Sequence, residues 1–271
     1  VSTLKHGQDD FISRIIEDKR IEVESARQII SEEEIKRLAM SSETHQRVFR
    51  RALSSPGPMG VNIIAEIKRA SPSKGMLCEN LDVISLSCSY QDGGAAAISV
   101  LTEQNYFKGS VADLQAVKRS VNLPVLRKDF IVTEYQIYES KNIGADAILL
   151  IVRALSDREL KDFITCAGTI DLDVLTEVHD YEELQRALAA GASIIGINNR
   201  NLSTFVTDIN VSIELAGEIP KGIIGVAESG IKDRSDIKKI SAAGIHNFLI
   251  GESIVRSGDP AGHIRSLCSD S

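Results

Sequence analysis

The stretch Ile63-Ile64-Ala65-Glu66-Ile67-Lys68-Arg69-Ala70-Ser71-Pro72-Ser73-Lys74-Gly75 decides the reading of this chain. An apolar run ends in a carboxylate and an amine two residues apart, and a loop rich in Ser, Pro and Gly follows at once. Side chains alternate faces along a strand, so Glu66 and Lys68 point the same way. Charges are costly inside an apolar strand and tolerated at its exit when paired or used. The stretch predicts a strand that delivers two ionisable groups into a pocket at its C-terminal end.

The same pattern recurs downstream. Short apolar runs occupy 62–68, 95–101, 124–130, 147–152, 173–179, 194–200, 224–229 and 247–251. Between them lie periodic stretches such as Asp180 to Ala190 and Asp233 to Ala243, which read as helices. Gly94-Ala95, Gly144-Ala145, Gly191-Ala192 and Gly244-Ile245 mark a faint repeat, each placing a helix-ending glycine before a buried run. Eight runs alternating with helices predict an α/β fold, a (β/α)8 TIM barrel over residues 61–271. An open doubly wound sheet is the alternative. It usually has fewer strands, and its glycine loop after the first strand is missing.

Residues 1–60 read as an N-terminal helical extension packed on the barrel, so that the chain is a single domain overall. Asp9 to Arg27 carries Phe11, Ile15, Ile16, Ile21 and Val23 at helical spacing. Ser31 precedes three acids and reads as the cap of a second helix. His45 to Leu53 predicts a third, and Pro56-Gly57-Pro58 closes the segment.

Composition narrows the function. With 271 residues, 43% hydrophobic, few aromatics and no Trp, the chain suits aliphatic barrel layers. A net charge of −7 argues against nucleic-acid binding. No apolar run is long enough to span a membrane, and no signal-peptide core opens the chain. Cys78, Cys88, Cys166 and Cys268 lack metal-ligand spacing and read as reduced thiols, so a cytoplasmic location is expected.

Barrel active sites are built at the C-terminal ends of strands. Here those ends carry Glu66 and Lys68, Arg127-Lys128-Asp129-Phe130, Glu177-Val178-His179, Asn198-Asn199-Arg200, Glu228-Ser229-Gly230 and Gly251-Glu252-Ser253. A single charge at a strand end is often structural; the convergence of so many exceeds what closing a barrel requires. The loops after the seventh and eighth runs are the usual phosphate site of such barrels, and their small residues let backbone N–H groups approach an anion. Ser71 to Gly75 adds hydroxyl and cationic groups.

With these residues laid out, the chain closely resembles the indole-3-glycerol-phosphate synthase family of tryptophan biosynthesis. The markers are Ile64 to Ser73, Leu101-Thr102-Glu103 with Phe107, Gly109 and Ser110, Pro124 to Phe130, and Glu177-Val178-His179. Gly196 to Leu202, Ala227 to Ile231 and Leu249 to Ser253 complete the series, over about residues 8–265. The resemblance implies ring closure of 1-(2-carboxyphenylamino)-1-deoxyribulose 5-phosphate, with loss of CO₂ and water and no metal or organic cofactor.

It also implies residue roles. Lys128 is the general acid and Glu177 the general base of dehydration. Lys68 steadies the substrate carboxylate and shares the acid role; two neighbouring ammonium groups would then push one of them to titrate nearer neutrality. Glu66, Asn198 and Glu228 position the lysines and sugar hydroxyls. Arg200 meets the carboxylate through its planar fork. Pro72, Phe107, Phe130, Leu149, Leu202, Ser229 and Leu249 line the substrate pocket. Ser71, Gly230, Gly251, Ser253 and the backbone of Glu252 hold the phosphate. Some family members have Ser at the position of Glu252, so its carboxylate is expected to turn away.

The expected partner is a phosphorylated small molecule. A monomer or weak homo-oligomer is expected, with room for association with other tryptophan-pathway enzymes. Two alternatives stand beside this reading. Phosphoribosylanthranilate isomerase, another phosphate-binding barrel, needs a Cys base near the end of the first strand, where this chain has Glu66 and Lys68. A non-catalytic ligand-binding descendant would not need an acid and a base together.

Overall fold

The computed structural model describes residues 9–42, 48–57, 59–72, 74–201 and 204–269. Three helices come first: α1 (Asp9–Ile29), α2 (Glu32–Met40) and α3 (Phe49–Leu53). Ser31 caps α2 by accepting a hydrogen bond from the Glu34 N–H, and Glu32, Glu33 and Glu34 fill the first turn, where the helix dipole favours acids. The helix expected from His45 starts at Phe49; residues 43–47 and Pro58 lie outside the described residues.

Eight parallel strands follow: β1 (Asn62–Ile67), β2 (Ala97–Leu101), β3 (Val125–Lys128), β4 (Ala147–Ile151), β5 (Asp173–Val178), β6 (Ile194–Asn198), β7 (Ile224–Glu228) and β8 (Asn247–Ile250). Each pairs with the next, and β1 also pairs with β8, so the sheet closes into a barrel. The intervening helices are α4 (Val83–Asp92), α5 (Val111–Ser120), α6 (Glu134–Asn142), α7 (Asp157–Thr169), α8 (Tyr181–Ala189), α9 (Asn210–Ala216) and α10 (Arg234–Ala242). Two more, α11 (Glu252–Val255) and α12 (Pro260–Cys268), follow β8. The (β/α)8 barrel expected from the runs is therefore present. The strands are slightly shorter than the runs, because the last residues of several runs leave the ladder to face the mouth. The four repeat glycines adopt φ between +85° and +106°, the left-handed turn that sends the chain from a helix into the next strand.

Strand alternation sorts the core. Ile64, Ala97, Leu126, Ala147, Leu175, Ile194 and Val226 point into the barrel. Their neighbours Ile63, Ile98, Val125, Ile148, Val174, Ile195 and Ala227 face the helices. Phe49 and Leu53 of α3 pack against the inner set, and the Arg50 N–H donates to Asp173 Oδ2 at 2.8 Å, so α3 plugs the N-terminal end. At the same end Asn62 donates to Asn247 Oδ1 at 2.9 Å.

Helix α1 serves the opposite end. Its buried stripe is Ile15, Lys19 and Val23, each four residues from the next. Ile21, read from the sequence as part of the apolar face, is 61% exposed, because the face turns around Lys19 instead. The Lys19 ammonium lies 3.1 Å from Asp129 Oδ1 and 2.8 Å from Glu22 Oε2. Asp129 also accepts from the Thr102 hydroxyl at 2.6 Å and pairs with buried Arg127. Burial works against charge on Lys19, but Asp129 and Glu22 outweigh it and raise its pKa. Breaking such a buried pair leaves a charge without compensation. Lys19→Ala is expected to lower unfolding stability by about 3 kcal/mol, read from urea melts; a loss below about 1 kcal/mol would deny the pair its anchoring role.

Candidate active site

A cavity of about 650 Å³ opens at the C-terminal mouth of the barrel. Register determines who meets there. Leu101 stands beside Lys128, Ile151 beside Glu177, Glu177 beside Gly196, and Asn198 beside Glu228. Inward-facing residues at the ends of six strands thus reach one level.

The centre is a charge cluster. Lys128 Nζ lies 3.2 Å from Glu177 Oε2 and makes a second, shorter ion pair with Glu228 Oε2. Asn198 Nδ2 donates to Glu177 Oε1 at 3.1 Å, and the Asn198 amide oxygen accepts from the Arg200 N–H at 3.0 Å. Lys68 Nζ lies 2.5 Å from Glu66 Oε1. Glycines make room: a Cβ on Gly196 would collide with Glu228 Oε1, and one on Gly251 would stand 2.6 Å from Glu66 Oε1.

Burial and charge set the protonation states. Burial disfavours an ammonium at Lys128, but Glu228, Glu177 and Glu66 more than offset it and raise its pKa. The expected depression of one amine by the other therefore does not occur at Lys128, which sits among carboxylates. Burial alone would raise Glu177; Lys128, His179 and Asn198 reverse the shift and hold it below the usual carboxylate range. Glu228 goes the other way, to about 7, through burial and the nearby charges of Glu177 and Glu66, against the pull of Lys128. One ammonium cannot fully stabilise two ionised carboxylates.

The remaining wall is built by loops. Glu103, 1% exposed, accepts from the backbone N–H groups of Asn105, Tyr106 and Phe107 at 2.9, 2.7 and 2.9 Å. This folds the loop after β2 so that Phe107 faces Phe130, with ring centroids 6.4 Å apart. Leu149 and Leu249 floor the cavity, and Ser71 and Pro72 enter from a small hairpin pairing Ala70–Ser71 with Gly75–Met76.

On the far side, Ser229 and Gly230 have φ of 64° and 77°. Ser229 is held there by Asn199, whose amide donates to the Ser229 carbonyl at 3.0 Å and whose oxygen accepts from the Ser212 N–H and hydroxyl. A non-glycine residue in this conformation persists only where its surroundings over-determine it, and such residues cluster at ligand clamps. Gly251, Glu252 and Ser253 complete this rim. The Ser253 hydroxyl is buried with no hydrogen-bond partner among the described residues. Glu252 Oε1 turns to Lys74 at 3.9 Å and Arg256 at 3.8 Å.

Glu66, Lys68, Ser71, Pro72, Phe107, Lys128, Phe130, Leu149, Glu177, Asn198, Arg200, Glu228, Ser229, Gly230, Leu249, Gly251, Glu252 and Ser253 all line this one cavity. Leu202 lies outside the described residues. The sequence reading missed Ile12 and Ile15 of α1, which close one side, and Thr207, Lys232 and Arg256. An amphipathic stripe does not say what it covers, so α1 gave no signal. Glu103 did give one, a carboxylate just past a strand end. Among the described residues no cluster of His, Cys, Asp and Glu could hold a metal ion.

A family model described as indole-3-glycerol phosphate synthase matches residues 12–267. The indole-3-glycerol phosphate synthase of Syntrophobacter fumaroxidans is 49% identical over 251 residues, covering 93% of this chain and 94% of the relative. That of Carboxydothermus hydrogenoformans is 47% identical over 254 residues, covering 92% and 96%. Among solved structures, a 3-hexulose-6-phosphate synthase superposes with TM-score 0.62 at 16% identity, covering 76% of this chain and 98% of that one. A thiamine phosphate pyrophosphorylase from Pyrococcus furiosus gives 0.59 at 14% identity, covering 80% and 95%. These two likenesses speak to the barrel alone.

Proposed function

The chain belongs to the indole-3-glycerol phosphate synthase family, carboxy-lyases of tryptophan biosynthesis, and we propose that its barrel mouth closes the indole ring with Lys128 as general acid and Glu177 as general base. The substrate on this reading is 1-(2-carboxyphenylamino)-1-deoxyribulose 5-phosphate. One observation carries the assignment: an ammonium from β3 pairs with two carboxylates, from β5 and β7, inside a cavity walled by aromatic and aliphatic side chains.

The reaction needs a carbonyl polarised while a ring carbon attacks it, then loss of CO₂ and of a hydroxyl as water. Lys128 keeps its proton at neutral pH and can hand it to the carbonyl oxygen as negative charge develops there. Glu177 stays ionised and can take the ring proton as the hydroxyl departs. Asn198 fixes the Glu177 carboxylate. Glu228, titrating near neutrality, holds Lys128 and can meet a sugar hydroxyl as donor or acceptor. The phosphate is assigned to Ser71, Gly230, Gly251, Ser253 and the Glu252 backbone, supported by the strained Ser229-Gly230 turn and the unpartnered Ser253 hydroxyl. The anthranilate ring is assigned to the apolar side, between Phe107, Phe130, Leu149 and Leu249. Lys68 and Arg200 face its carboxylate.

The division into a helical lead-in of 1–60 and a barrel of 61–271 that fold as one domain belongs to the same proposal, supported by the buried Lys19–Asp129 pair. So do a cytoplasmic location, in keeping with the free thiols of all four cysteines, and a monomer or weak homo-oligomer. No helix among the described residues is long and apolar enough to cross a membrane.

Turnover to the fluorescent indole product tests the assignment. The protein is expected to convert the carboxyphenylamino-deoxyribulose phosphate. Lys68→Ala is expected to raise KM by about tenfold or more, as the loss of a charge-assisted contact would. An unchanged KM would remove Lys68 from the carboxylate, and no turnover by the parent would remove the activity.

A further inference from the structure

The assigned roles leave one buried titratable side chain beside the reacting groups unused. His179 follows β5 with its side chain 5% exposed. Its Nδ1 lies 3.0 Å from Glu183 Oε2, on α8, and the same oxygen accepts the His179 backbone N–H at 2.9 Å. The other Glu183 oxygen accepts from Arg153 Nε at 2.7 Å, in the turn after β4. A carboxylate can only accept, so Nδ1 carries a hydrogen and the ring's orientation is fixed.

The free end of the ring points at the base. His179 Nε2 is buried, makes no hydrogen bond among the described residues, and stands 3.5 Å from Glu177 Oε1. An Nε2–H there donates toward the ionised carboxylate; a bare Nε2 faces it comfortably only once Glu177 has gained a proton. The other groups facing Glu177 are Lys128 on β3, Asn198 on β6 and, across Lys128, Glu228 on β7. Lys128 and Asn198 engage the carboxylate from the cavity side; His179 meets it from a side tied to α8 through Glu183.

We propose that His179 is a positioning residue for Glu177: held by Glu183, it aims its Nε2 edge at Glu177 Oε1 and favours the ionised, oriented carboxylate that takes the substrate proton. This rests on the assignment of Glu177 as the base. The charge of His179 is one of the influences that lower the Glu177 pKa, consistent with the geometry. Removing the imidazole raises the Glu177 pKa, so more of the free enzyme carries a protonated, inactive base on the acid side.

His179→Leu removes both charge and donor; His179→Gln keeps an N–H donor without the charge. In both, kcat is expected to fall by about tenfold or more, with KM within about threefold. The acid limb of the kcat/KM profile should move to higher pH. In a Glu177→Gln background the His179 substitutions should cost little further turnover, because they act through the missing group. An acid limb at the parental pH in His179→Gln, or equal losses in both backgrounds, would overturn the proposal. If the variants do not fold, the 15N resonance of His179 Nε2 in the parent and in Glu177→Gln decides: a changed signal supports the contact, and an unchanged one refutes it. Near-parental turnover of Glu177→Gln alone would instead remove the base assignment, a failure distinct from that of His179.

Discussion

Lys128→Ala is expected to lower kcat by about three orders of magnitude or more, the scale of an essential acid combined with electrostatic support. The loss has two sources. The variant cannot donate the proton that the carbonyl oxygen needs. It also strips the ammonium that pairs with both Glu177 and Glu228. Both carboxylates then lose their ammonium partner, and their pKa values rise, since burial already works against their ionised forms. The base is therefore disabled together with the acid. Steady-state turnover checks this, with circular dichroism to confirm folding. Activity within a few-fold of the parent would refute the role of Lys128.

Glu177→Gln is expected to lower kcat by about two to four orders of magnitude with little change in KM. The amide keeps the shape and can still meet Asn198, so substrate binding survives. It cannot take a proton, and Lys128 loses one of its ion-pair partners. Burst kinetics should show that ring closure and decarboxylation outlast dehydration, because the base belongs to the last step. Near-normal turnover would place the base elsewhere.

The barrel was legible because its signal is repeated. Eight apolar runs, four of them preceded by a glycine-ended helix, leave few topologies, and the polar residues that spoil the apolar pattern at the ends of six runs include those that reach the mouth. Glu66 and Lys68 stand out for this reason: no packing requirement explains two charges on one strand face. What stayed hidden depends on contacts between distant elements. Lys19 reads as one more charge on a charged helix, yet it is 2% exposed because Asp129 waits opposite. The direction of the Lys128 shift was hidden too. Two lysines in sequence suggest mutual repulsion, whereas the fold surrounds Lys128 with carboxylates from β1, β5 and β7. His179 was visible as a name at a strand end, but its link to Glu183 required the turn of α8.

The most direct test of the site is a crystal structure with indole-3-glycerol phosphate bound. The phosphate is expected at the rim formed by Ser229, Gly230, Gly251 and Ser253, the indole ring against Phe107 and Phe130, and both Lys68 and Lys128 in contact with that single ligand. A phosphate seated elsewhere, or a product that leaves Lys128 and Glu177 untouched, would contradict it.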